Sequence, residues 1–223
     1  LLTDRNRIVK SRILPYRFIT AVQEIETNFQ NENGRKIVMA LADAIDIACE
    51  NAPAFDGRTL VAVDNSGSMG GTVKDVAGLF AAVIAKTNNA DVLLFDDKAE
   101  WPVYNPKDSV VTNARKFANA RGGTNFDIIF TGLSQKYDRI IILSDMQAWV
   151  TYYTPTNALK SYKSRTGANP KIYSFNLQEY GTIQFPEENV YAIAGFSEKA
   201  LDLMEKLEVD KNALINEIEA IEI

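Results

Sequence analysis

Residues 60–71 read LVAVDNSGSMGG, an apolar run that passes straight into an aspartate, two serines two apart and a cluster of glycines. A buried strand ending in oxygen-bearing side chains and a flexible turn is where α/β proteins place a ligand, just outside the carboxyl end of the strand. A second apolar run, RIIILSD at 139–145, also ends in a carboxylate, with Ser144 beside it. The loop RGGTNFD at 121–127 precedes the helical stretch that feeds this second run and can deliver Thr124 to the same rim. Asp64, Ser66, Ser68, Thr124 and Asp145 therefore form a set of carboxylates and hydroxyls with no nitrogen and no sulfur. Such oxygen ligands, with water completing an octahedron, suit a hard divalent cation, Mg2+ or Mn2+, over zinc or copper. Hydroxyls are neutral, so an ion held directly by them, with the carboxylates acting through water, keeps positive charge and attracts an acidic group from a partner.

Composition removes several alternatives. The 223-residue chain contains no histidine and a single cysteine, Cys49. That excludes Ser-His-Asp and Cys-His relays, and both imidazole and thiolate zinc sites. Gly67, Ser68, Met69 and Gly70 have the wrong spacing for a G-x-S-x-G nucleophile elbow, and no Walker loop is present. The net charge of −5 and pI near 5.0 argue against a surface that is basic throughout, so any RNA contact must be local. Apolar residues at 46% and charged residues at 24% are ordinary for a globular protein, and no window holds the ~18 uninterrupted apolar residues of a membrane span. One cysteine and the lack of a secretory pattern lead us to expect a reducing, cytoplasmic setting. The first residue is Leu1, not Met, which leads us to expect a piece of something longer.

The elements that must position the five residues follow from periodicity. From 13 to 50, Phe18, Val22, Ile25 and Phe29 share one helical face, and Ile37, Leu41, Ala44, Ile45 and Ala48 another, separated by the turn NENG. This predicts a helical hairpin, followed by a connection at PAFDG, 53–57. Beyond it, short apolar runs (TLVAVD, DVLLFD, EWPVY, RIIILSD, KIYSFNL, NVYAIAG) alternate with helical patterns near 72–86, 108–119, 125–134, 156–165 and 197–207. The alternation predicts an α/β fold: a doubly wound, mostly parallel six-stranded sheet covered on both faces. DVLLFD and EWPVY are joined too tightly for a crossover, which predicts an antiparallel edge strand. The terminal KNALINEIEAIEI places Leu214, Ile218 and Ile221 on one face of a last helix.

Each of these residues has a purely structural alternative. Ser68 can cap the helix beginning near Gly70, Thr124 and Asp127 read as a T-x-x-D capping box, and Asp64 and Asp145 can serve as turn residues. What favours the cation is the joint arrival of all five at one rim.

The string D-N-S-G-S from Asp64 to Ser68, the G-G-T ending at Thr124 and the S-D pair at Asp145 resemble the metal-ion-dependent adhesion site (MIDAS) of von Willebrand factor A (VWA) domains. That resemblance implies Mg2+ coordinated by the two serines and the threonine, with the aspartates holding it directly or through water. It also implies a Rossmann-like sheet with one antiparallel edge strand between helices. The flanks SRILPYRF at 11–18, GRTLVAVDNSGSM at 57–69, RGGTNFD at 121–127 and YAIAGFSEK at 191–199 resemble, more narrowly, the C-terminal half of the Ro ribonucleoprotein (TROVE-module) family. On this resemblance residues 1–57 are a helical segment like the end of the TROVE α-helical repeat ring, and 58–223 are the VWA domain. The family's ring binds small noncoding Y RNA on its outside and ends of misfolded RNA through its hole. Nearly all of that ring is absent here, so those RNAs are expected only through the rest of a Ro-like ring.

Two further groups could contact partners. In the leading segment Arg5, Arg7, Lys10, Arg12 and Arg17 outnumber Asp4 and could touch phosphates, or could form a solvated face or inter-domain contact. Trp149, Tyr152 and Tyr153, in the loop leaving the metal rim, could bind a partner or pack that loop on the core. The leading functional expectation is a non-enzymatic, metal-dependent binding module of a Ro-like RNA-binding protein. An Mg2+-dependent phosphatase is the alternative, disfavoured because Ser66 stands where a D-x-D phosphatase has its second carboxylate. A scaffold in which the metal serves only stability is the third.

Overall fold

TLVAVD is apolar between its two end residues, and Thr59–Asp64 forms β1, buried along its whole length. In the computed structural model, which describes residues 2–147, 154–178, 187–195 and 198–219, β1 lies at the centre of a sheet. Around it run β2 (Asp91–Phe95), β3 (Ala99–Glu100), β4 (Arg139–Ser144), β5 (Lys171–Asn176) and β6 (Val190–Ala194), in the order β3-β2-β1-β4-β5-β6. All pairings are parallel except β2 with β3. This is the α/β, VWA-type sheet expected, with its antiparallel edge. The edge strand is shorter than EWPVY predicts. Pro102 lacks an amide donor for a ladder, and Val103 stands 96% exposed.

The helices are α1 (Arg5–Ser11), α2 (Ile19–Asn28), α3 (Glu32–Ala48), α4 (Thr72–Asn88), α5 (Val110–Phe117), α6 (Asp127–Thr131), α7 (Pro155–Thr166), α8 (Glu198–Val209) and α9 (Ala213–Glu219). Successive strand residues point to opposite faces, and here both faces are covered. Val61, Val63, Leu94, Ile141, Leu143 and Phe175 face a core completed by α3, α4, α5 and α8. Leu60, Ala62, Leu93, Ile140, Ile142 and Ile172 face a second core closed by α6 and α7. Among the described residues no helix is long and apolar enough to cross a membrane.

The N-terminal helices join the first core through Leu14, Val22, Leu41 and Ile45. Two residues of the expected hairpin faces depart from them. Phe29 follows the last residue of α2 and is 51% exposed, and Ile37 is 38% exposed while its neighbour Val38 packs against the core. NENG is not a free turn but the start of α3: Asn31 caps it by accepting from the Gly34 amide at 2.9 Å. A side chain at Gly34 would meet the Phe29 carbonyl oxygen at 1.8 Å, so only glycine fits this approach. Cys49 is buried, and loss of solvation pushes its thiol up to about 12, beyond the range of a reactive thiolate. The packing expected of Leu214, Ile218 and Ile221 concerns side chains outside the described residues.

The end of β4 remote from its carboxylate is pinned by a buried ion pair. Arg139, 3% exposed, donates from Nε and a terminal nitrogen to Glu208 of α8 at 2.8 and 2.6 Å, and to Thr59 Oγ1 at 2.9 Å. Tyr173 donates its hydroxyl to the same carboxylate at 2.7 Å. Removing one member leaves the other buried without its counter-charge, so Glu208→Ala is expected to destabilise the fold by about 3 kcal/mol, read from urea unfolding.

Candidate metal centre

The sheet order reverses between β1 and β4, and their carboxyl ends lie side by side: Val63 pairs with Leu143. The next residues, Asp64 and Ser144, meet directly, Ser144 Oγ donating to Asp64 Oδ2 in a short hydrogen bond. The other carboxylate oxygen accepts from the Ser66 amide at 2.8 Å, which turns the chain so that Ser66 Oγ and Ser68 Oγ lie 3.1 Å apart. Main-chain bonds then draw in the loop that carries Thr124. Gly67 N donates to Gly122 O at 3.1 Å and Arg121 N to Asn65 O at 2.5 Å, while Asn65 N itself donates to Phe95 O at the end of β2. Asp145 follows Ser144 and adds its charge to the field felt by Asp64. Asp64, Ser66, Thr124 and Asp145 are buried; Ser68 is exposed, so the set opens to solvent on its side.

The structural alternatives for these residues fail in part or in full. Thr124 does not cap α6: the Asp127 amide is taken by Asn125 Oδ1 at 2.9 Å. Ser68 does not cap α4, because Gly71, at φ 74°, occupies that position. Asp64 and Asp145 do make turn bonds, the latter from the Gln147 amide to Oδ1 at 3.1 Å. Two oxygens of the set are left over. Thr124 Oγ1 and Asp145 Oδ2 are buried and have no hydrogen-bond partner among the described residues. Leaving a buried polar atom unsatisfied costs about 1–3 kcal/mol each, and an oxygen-seeking cation removes that cost.

The charges agree. Burial pushes the Asp64 carboxyl up to about 6, against the pull of the Ser144 and Ser66 hydrogen bonds and with added repulsion from Asp145. A divalent ion would relieve both burial and repulsion. Among the described residues no three His, Cys, Asp or Glu side chains gather as a metal-binding group, so a cation here must rely on hydroxyls beside the carboxylates. That donor set fits Mg2+ or Mn2+.

The other predicted contact residues stand apart from this rim. Arg5 pairs with Glu50 at 2.6 Å and Arg7 with Asp4 at 3.4 Å, Arg17 lies over the Tyr16 ring at 5.7 Å, and Lys10 and Arg12 are exposed. Trp149, Tyr152 and Tyr153 lie outside the described residues. Sequence reasoning left Ser144 out of the site, although its place beside Asp145 at a strand end was the available signal. It also missed the Asn65 and Gly67 main-chain ties, which no residue type reveals.

A model of the family described as the Ro60 vWA domain matches residues 58–208. The chain is 25% identical over 228 residues to the RNA-binding protein RO60 of Deinococcus radiodurans, covering 91% of this chain and 42% of that protein. It is 28% identical over 201 residues to the RNA-binding protein RO60 of Caenorhabditis elegans, covering 80% of this chain and 31% of that one. The crystal structure of the Deinococcus radiodurans RO (RSR) protein superposes with a TM-score of 0.75 at 22% identity, covering 93% of this chain and 46% of the other, a likeness of fold. The chain thus spans less than half the length of the curated relatives it matches.

Two outcomes follow. Thr124→Val, which keeps the side-chain shape, is expected to weaken Mn2+ binding by at least about 10-fold in calorimetry while leaving metal-free stability unchanged or up to about 1 kcal/mol higher, since an orphaned hydroxyl is removed. Because the folded Asp64 carboxyl titrates above its unfolded value of 3.8, its contribution to metal-free stability is full below that pH and lost as pH rises through about 6. In EDTA, urea unfolding should therefore show a loss approaching ~3 kcal/mol by pH 7 that is absent from Asp64→Asn.

Proposed function

Since the chain belongs to the Ro60 vWA domain family, we propose that it is a non-enzymatic, divalent-metal-dependent binding domain of a Ro-like RNA-binding protein. Asp64, Ser66, Ser68, Thr124 and Asp145 would hold Mg2+ or Mn2+. The single observation that carries this reading is the pair of orphaned, buried oxygens, Thr124 Oγ1 and Asp145 Oδ2, at the rim where Asp64 and the two serines converge. A bound ion would supply a positive charge reachable from the exposed Ser68 side, which suits capture of an acidic side chain from a protein partner.

The geometry favours binding over hydrolysis. Asp64 would have to be the nucleophile of a phosphatase, yet it is fully buried and both its oxygens accept hydrogen bonds, from the Ser66 amide and the Ser144 hydroxyl. With no histidine in the chain and Ser66 at the second motif position, the acid-base carboxylate of a D-x-D phosphatase is missing. The curated relatives carry the name RNA-binding protein, and RNA handling is the context we assign to the partner. In the N-terminal segment, Arg5 and Arg7 are engaged by Glu50 and Asp4, which weighs against direct phosphate contact there.

The test is a pull-down with the full chain as bait in Mg2+, in EDTA, and with the Thr124→Val bait in Mg2+, identifying protein by mass spectrometry and RNA by sequencing. A protein partner recovered only by the wild-type bait in Mg2+ is expected. An unchanged bound set in all three arms would overturn the reading and leave a scaffold with a stabilising ion.

A further inference from the structure

The loop carrying Thr124 has little regular structure of its own: α5 ends at Phe117 and α6 begins at Asp127. Two flanking elements hold it. On one side are the main-chain bonds to Asn65 and Gly67 already described. On the other is the β2–β3 turn. Asn125 N donates to Asp96 O at 2.9 Å, and Gly122, at φ 69°, lies so close that a Cβ there would meet Asp97 Oδ1 at 3.0 Å and the Asp96 side chain at 3.4 Å.

Arg121 closes this side. Its Nε donates to Asp96 Oδ2 at 3.0 Å, and a terminal nitrogen donates to Glu100 in a short contact. Asp96 is 4% exposed, and its second oxygen accepts from the Lys98 amide at 2.8 Å, so the carboxylate is fixed before the guanidinium reaches it. Burial works against the Asp96 charge, yet the Lys98 amide, the Asp97 side chain and Arg121 together hold its carboxyl below the usual range. The Arg121 side chain is itself 56% exposed. It neutralises a buried carboxylate and, because it belongs to the Thr124 loop, the same pair also fixes where that loop sits.

We propose that Arg121, clamped to Asp96 and Glu100, is a positioning residue that holds the loop from Gly122 to Asn125 so that Thr124 presents its hydroxyl to the cation site. The edge hairpin thereby becomes the outer support of a site whose ligands lie elsewhere. The inference rests on the metal reading above. Groups that orient metal ligands without touching the ion typically change affinity by about 10- to 100-fold when removed.

Mn2+ titration of the full chain, with hydrogen exchange of the Gly67 and Asn125 amides in EDTA, tests it. Arg121→Gln is expected to weaken Mn2+ affinity by about 10- to 100-fold, and Arg121→Lys by less, with the metal-free melting midpoint lowered by up to about 10 °C as buried Asp96 loses its counter-charge. The two amides should exchange at least about 10-fold faster in Arg121→Gln, with β1 amides unchanged. A wild type that binds Mn2+ and an Arg121→Gln that binds it equally well would overturn the clamp alone. So would a melting midpoint that falls while affinity holds, the pattern of a merely structural residue. A wild type that takes up no Mn2+ would overturn the site reading and this inference with it.

Discussion

The rest of the molecule depends on one awkward juxtaposition: carboxylates buried at the point where the strand order of the sheet reverses. Asp64 ends β1, and Asp145 directly follows β4, with no solvent exposure at either. Parallel strands bring their carboxyl ends to a common edge, so the repulsion between these groups follows from the topology itself. Strands packed on both faces by apolar side chains cannot tilt away to relieve it. The arrangement is tolerable because most of the oxygens are satisfied locally, by the Ser66 amide, the Ser144 hydroxyl and the Gln147 amide. Among the atoms left unsatisfied are one carboxylate oxygen, Asp145 Oδ2, and one hydroxyl, Thr124 Oγ1, of the type a hard cation takes.

Much of this was legible in the sequence because the governing patterns are local. The strand cores announce themselves as uninterrupted apolar runs, and a run that stops at an aspartate marks the rim of a parallel sheet. The same reasoning places β1 beside β4 before any pairing is known. Where it misread the chain, a non-local contact decided the outcome. Periodicity assigns Phe29 and Ile37 to buried faces, but Phe29 lies past the last residue of α2, and within α3 the core is met by Val38 in place of Ile37. NENG carries turn residues, yet Asn31 and Gly34 are used to start a helix against the Phe29 carbonyl. In EWPVY the aromatic and β-branched content outweighed Pro102, and the ladder stopped at Glu100.

The site shows the same division. Residue types and spacing pick out oxygen-bearing side chains at the rim, since chemistry depends on side chains. They do not identify what assembles the donors. The bonds joining Asn65, Gly67 and Asn125 to Arg121, Gly122 and Asp96 are made by peptide groups that every residue carries. Ion pairs across the fold are similarly hidden: nothing in RIIILSD says that its arginine reaches a glutamate of α8, 69 residues on.

That peptide scaffolding separates two properties that proteins often bind together. Because the rim is laced by main-chain bonds from Phe95 to Asn65, from Asn65 to Arg121 and from Gly67 to Gly122, its shape is largely indifferent to which side chains it displays outward. The exposed Lys98 beside it contributes its amide to Asp96, so its side chain can vary without unpicking the frame. A rim of this kind is a chassis, a frame set by peptide groups on which outward side chains can change while its shape stays the same.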